Sequence, residues 1–147
     1  MQTTGNKKLK VLIMIISICL LFVTVPENWY KCFIYMFFHA NIFHLAANLY
    51  ALWMIKLDKQ RLITSYIISV FAYLIFPHAI GLSGIILAIV GMYANKKTWR
   101  YFIIFSLITA FIPNIAFGVH TTCFILGYLY NKLRVLVNDY RAAYTGR

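Results

Sequence analysis

The chain has 147 residues, 63% of them hydrophobic and only 12% charged, with a formal net charge of +11. A soluble domain of this size is nearer half apolar and a quarter charged, so a water-soluble globular core is excluded. The apolar residues come in long runs broken by short polar clusters, not at a helical or strand period, which is the pattern of several membrane spans. The length accommodates one all-α, polytopic membrane bundle and no second domain. Its expected divisions are a tail over 1–8, a six-helix core over 9–131 and a basic tail over 132–147.

The first apolar run, Val11–Val25, follows Lys7, Lys8 and Lys10 and gives a span at 9–25. No small-x-small cleavage site follows it, only "VPENWYKC", and more spans come after, so it reads as a retained helix rather than a signal peptide. The polar breaks then place spans at 33–55, 62–77, 83–95, 101–113 and 118–131. Alternate loops carry Lys56, Lys59 and Arg61, then Lys96, Lys97 and Arg100, then Lys132, Arg134, Arg141 and Arg147. With the N-terminal lysines, every one of the 14 basic residues except Lys31 falls on one side. By the positive-inside rule that side is the cytoplasm, with both termini in it. The placement argues for a partner in the lipid bilayer and against nucleic acid. The tail Asn131–Arg147 mixes Leu133, Val135, Leu136 and Val137 with cations, and is expected to continue the last helix along the anionic inner leaflet.

Cys19, Cys32 and Cys123 have neither paired nor metal-ligand spacing, so buried reduced thiols are expected, with no disulfide and no metal. Ser17, Ser69 and Ser106 lie in apolar runs where a hydroxyl ordinarily bonds back to a carbonyl one turn earlier. Trp29, Trp53 and Trp99 read as interfacial anchors. His78 falls in an outer loop and has no assigned role.

Polar side chains inside a span are costly and face a bundle interior or a cavity. His39, His44 and Asn48 in the second span, Ser83 opening the fourth and His120 near the start of the sixth stand out. Counting from the basic residue at each inner end, Lys96 to Ser83 is about 20 Å at the helical rise. Lys132 to His120 and Lys56 to His44 are each about 18 Å. In a hydrocarbon core of about 30 Å, the three groups meet at one level, roughly 10 Å below the outer surface. The fourth span is too short to cross, so Pro77–Leu82 is expected to descend as non-helical chain, which lipid permits only around a protein-lined or watery cavity. Ser83 then stands at a helix N-terminus, where free N–H groups and the dipole favour developing negative charge. Gly84, Ala88 and Gly91 form a small-residue stripe on the fourth span, and His120, Cys123 and Gly127 one on the sixth. Such faces allow close backbone packing.

A serine is a weak nucleophile until a base takes its proton. His120 is placed to do so and to return the proton to a leaving amine. The Ser83 backbone N–H and the side chains of His44 and Asn48 are candidate oxyanion donors. Glu27, Asp58 and Asp139 are the only acids, and none is placed to orient His120, which points to a dyad.

"FFHANIFHLAANLYAL" (37–52), "GLSG" (81–84) and "VHTTCFILG" (119–127) together resemble the rhomboid intramembrane serine proteases. The family's His-x4-His-x3-Asn pattern falls on His39, His44 and Asn48, its Gly-x-Ser-Gly motif on Gly81–Gly84, and its sixth-span His and Gly on His120 and Gly127. The resemblance implies a six-helix rhomboid-like bundle with Ser83 and His120 as the catalytic pair. It implies His44 and Asn48 at the oxyanion, and His39, Gly81, Gly84 and Gly127 as structural support. The implied substrates are membrane proteins, cut near the outer end of a transmembrane segment, and no metal or cofactor is implied. The chain has Cys123 and Leu87 where many members have Gly and Tyr. Its first loop, Pro26–Lys31, is short and lacks the Trp-Arg pair of well-known bacterial members. Two other readings are a catalytically silent rhomboid-like protein that binds transmembrane clients, and a small pore. The pore reading lacks buried acids and inverted repeats.

Overall fold

The computed structural model describes residues 6–24, 27–77, 79–111 and 116–145. His78, Pro26, Arg147, residue 25 and the end of the fifth run at 112–113 lie outside them. The first helix is shorter than expected, ending at Cys19 with non-helical chain over 20–24. Among the described residues the chain is all helical, with no strand. The helices are α1 (Lys7–Cys19), α2 (Lys31–Ile34), α3 (Ile42–Met54), α4 (Lys59–Ile75), α5 (Ser83–Met92), α6 (Lys96–Ala110) and α7 (Phe117–Thr145), with a 3-10 turn at Tyr35–Phe37 between α2 and α3. Four of these helices begin at an Asx cap. Asn6, Asn41, Asp58 and Asn95 accept the backbone N–H groups of Leu9, His44, Arg61 and Thr98 at 3.2, 2.9, 2.8 and 2.9 Å. Each satisfies a donor that the helix itself leaves orphaned.

The cap at Asn41 accounts for the main departure from six continuous rods. The run expected at 33–55 is broken: Lys31–Phe37 and Ile42–Met54 meet at 87°. Phe38 and Asn41 are both extended, and an asparagine side chain that binds a backbone N–H three residues on starts a helix better than it continues one. No single described helix is long and apolar enough to cross a membrane, and this bent pair alone reaches that length and composition together. At the other end, α7 runs unbroken for 29 residues, about 43 Å. The basic segment from Lys132 onward therefore continues the last helix, as expected.

At the centre lies α5, packed chiefly on α7 and α4. Ile85, Ile86, Ala88, Ile89 and Met92 are all buried, as befits a helix apolar on every side. The two small-residue stripes do meet. A Cβ on Gly91 would overlap the Phe124 carbonyl, and one on Gly127 would overlap that of Ala88, so α5 and α7 touch backbone to backbone. The exterior is apolar as well: Ile67, Phe71 and Leu74 on α4 and Ile104, Leu107 and Ile108 on α6 are exposed. Continuous apolar cover of this kind marks an interaction surface, not one made for water.

Lys10 is 2% exposed, and its ammonium donates to the Trp53 and Ile55 carbonyls at 2.7 and 2.5 Å. It closes the C-terminus of α3, where a cation also suits the helix dipole. Beside it the Asn6 N–H donates to Leu57 at 2.9 Å. Lys10→Met keeps the apolar stem but strands both carbonyls, and should lower stability by about 1–3 kcal/mol. Thermal unfolding in detergent reads this, and an unchanged midpoint would refute it.

Three smaller expectations differ. Cys19, at the end of α1, is exposed, whereas Cys32 and Cys123 are buried. Ser17 and Ser106 hydroxyls are buried without a hydrogen-bond partner among the described residues. Ser69 turns to Tyr35 on the broken second run, and it is Ser65 that bonds back, to Leu62.

Candidate active site

Non-helical chain leads into α5, and its last turn is shaped by Gly81 at φ +101°, a conformation side-chain-bearing residues resist. The Gly81 N–H donates to the Tyr35 carbonyl at 3.3 Å. A Cβ there would come within 2.8 Å of the His44 ring and 3.1 Å of Asn48 Nδ2. The α3 side chains therefore lie directly against the turn that delivers Ser83. Their register follows from the Asn41 cap and the one-turn spacing of His44 and Asn48.

Ser83 is the first residue of α5. Its Oγ is 2.8 Å from His120 Nε2, and His120 lies in the first turn of α7. Two residues 37 apart in sequence meet because the α5–α7 seam runs up to them. His120 is 9% exposed and Asn48 6%, while Ser83 and His44 are half-buried. The pair is therefore more exposed on the Ser83–His44 side than on the His120–Asn48 side. His120 Nδ1 is buried with no hydrogen-bond partner among the described residues, so no carboxylate orients it. For Nε2 to accept the serine proton, Nδ1 must carry the ring hydrogen. Asn48 Nδ2 is likewise a buried donor with no partner, an expensive arrangement unless something arrives to accept from it.

His39 lies apart from the pair, between the 3-10 turn and α3. Its Nδ1 is 3.2 Å from the Phe37 carbonyl and its ring stands edge-on to His44 at 5.2 Å. Gly84 faces Ser69, Tyr35 and Cys123, and Gly127 faces Ala88. Cys123 fills its place in the seam without exposure. The aromatic ring beside His120 is Phe105 of α6, 6.0 Å between centroids, on a helix from which the sequence motifs take nothing. Asn41 could have been found from its spacing to His44, whereas Phe105, Tyr35 and Ser69 carry no local signal. Among the described residues no cluster of three His, Cys, Asp or Glu could hold a metal.

Fold and constellation together define an all-helical protein with a Ser–His pair at the start of a short central helix. The family model of the Rhomboid domain matches residues 26–136, well over half the chain, and the chain belongs to the rhomboid family. That family is membrane-embedded and includes both serine intramembrane proteases and inactive members. The match covers all three motifs and leaves α1 and the end of α7 outside. No curated protein is significantly similar to the chain.

Proposed function

We propose that the chain is an intramembrane serine endopeptidase that cleaves transmembrane segments of other membrane proteins. The observation that carries the reading is the 2.8 Å approach of Ser83 Oγ to His120 Nε2 at the N-terminus of α5. In the reaction, Ser83 Oγ attacks the scissile carbonyl carbon while His120 takes its proton. The oxyanion is held by the Ser83 N–H with His44 and Asn48. Collapse expels the amine, which leaves with the proton from His120. A water, deprotonated by the same ring, then hydrolyses the acyl-enzyme.

The topology we infer has six spans, with α2 and α3 sharing one, both termini cytoplasmic, and a cavity open to the outer side. Support comes from the one-sided placement of the cations. It comes also from the length of α5: ten residues rise about 15 Å, half of a hydrocarbon core of about 30 Å. With Tyr93–Asn95 joining its end to Lys96 at the inner face, the helix begins in the outer half of that core, and residues 79–82 that lead into it are not helical. That depth suits a substrate helix that unwinds near its outer end.

The test is cleavage of a single-span transmembrane substrate by purified protein, together with labelling by a serine-directed fluorophosphonate. Labelling at Ser83 separates an enzyme from a silent client-binding protein, which would stay unmarked. Asn48→Ala should lower kcat by about 10²–10³ with little change in KM, since the donor acts on the oxyanion and not on the bound substrate. An equal rise in KM at constant kcat would instead assign Asn48 to ground-state binding.

A further inference from the structure

We propose that Tyr35 is a positioning residue that holds the nucleophile turn Gly81–Gly84 from both ends, with Ser69 as its partner. This rests on the reading of Ser83 as nucleophile. Tyr35 lies in the 3-10 turn, fully buried, with its ring stacked on Tyr73 at 4.3 Å between centroids. Its carbonyl accepts the Gly81 N–H at 3.3 Å and its hydroxyl donates to the Ser69 carbonyl at 2.9 Å. The Ser69 hydroxyl lies 2.5 Å from the same phenol oxygen. Since the phenol proton is spent on the carbonyl, the serine must be the donor in that second contact.

At the far end of the turn, a Cβ on Gly84 would stand 2.6 Å from Ser69 Oγ and 3.2 Å from Tyr35 Oη. One residue therefore bonds the amide two positions before Ser83 and, with Ser69, forms the floor beneath the position after it. The approach to Ser83 is non-helical, so no helical ladder fixes its height there. The second run supplies that constraint, and only because it is broken: the 3-10 turn leaves the Tyr35 carbonyl near a partner outside its own helix. Buried polar groups that are fully paired specify one arrangement, and losing one member loosens the rest.

Tyr35→Phe keeps the ring, its stacking and the carbonyl, and removes only the hydroxyl. The expected result is a fall of about 10- to 100-fold in the fluorophosphonate labelling rate at Ser83 and in kcat, with KM little changed, because a small misplacement of the reacting atom carries that effect. Ser69→Ala should do the same, and the double variant should be no worse than either alone, since the two hydroxyls act as one unit. Hydrogen exchange over 79–86 should quicken in each variant while α6 exchanges as before. Exchange reads the holding of the turn whether or not the chain cleaves anything, so an unlabelled wild type would sink the dyad and leave Tyr35 still decidable. Unchanged labelling and exchange below the melting point of a folded Tyr35→Phe, even one that melts earlier, overturns the inference.

Discussion

Ser83→Ala and His120→Ala should each abolish cleavage and fluorophosphonate labelling while the protein still inserts and folds. Where a serine and its base act as one unit, removing either costs on the order of 10⁶ in kcat, about 8 kcal/mol of transition-state stabilisation. The 2.8 Å contact makes this pair such a unit, so the double variant should be no slower than either single one. Ser83→Ala should harm stability little: Ser83 is half-buried at the first turn of α5, and its backbone N–H, a candidate oxyanion donor, survives the substitution. His120→Ala vacates a buried ring and should lower the melting point without preventing folding. Turnover of a transmembrane substrate in detergent measures the effect. Full activity in either variant removes the dyad. Strictly additive losses would mean that the two side chains act separately.

The second large effect is expected at a position with no chemistry of its own. At Gly127→Ala the new methyl would overlap the Ala88 carbonyl oxygen. The neighbour is backbone in a buried helix, not the end of a flexible side chain. Overpacking of this kind costs about 1–3 kcal/mol and occasionally more. Alanine's better helix propensity, about 1 kcal/mol, offsets only part of it. Because the overlapped atom is backbone, the cost falls at the upper figure, and after the offset a net loss of about 2 kcal/mol remains, seen as a lower melting point. Catalysis should suffer as well, because α7 also carries His120 seven residues away on the same face. Parting the seam by 1 Å would weaken the Ser83–His120 contact and lower turnover by about 10². A Gly127→Ala protein that melts like the wild type and turns over at its rate would show that the seam yields without strain.

The residues of the site were legible for a physical reason. In a chain this apolar a buried hydroxyl or imidazole is expensive, so His44, Asn48, Ser83 and His120 stood out against their surroundings. Counting helical rise from the cations brought three of them to a common level. The meeting of the α5 and α7 stripes followed from the same one-dimensional reasoning, because small residues at one-turn spacing have a single structural use. The break in the second run is invisible to hydropathy, although Asn41 three residues before His44 carries it. Hydropathy alone ran 33–55 together. A local bond is within reach of any serine in a helix, so sequence alone favours one for Ser69, and only the approach of Tyr35 from another segment replaces it.

Composition, charge placement and the spacing of a few polar residues are enough by themselves to indicate an all-helical chain and to bring Ser83, His120 and His44 toward one expected level, since each is a property of position along a rise of fixed length. The family is carried by the three motifs. Contacts between segments remote in sequence were decided by the tertiary structure alone. These are Tyr35 bonding Gly81 and Ser69, Phe105 beside His120, and Lys10 closing the end of α3. Such contacts depend on rotation and offset between packed helices, which side-chain shape across the whole bundle sets and no local spacing encodes.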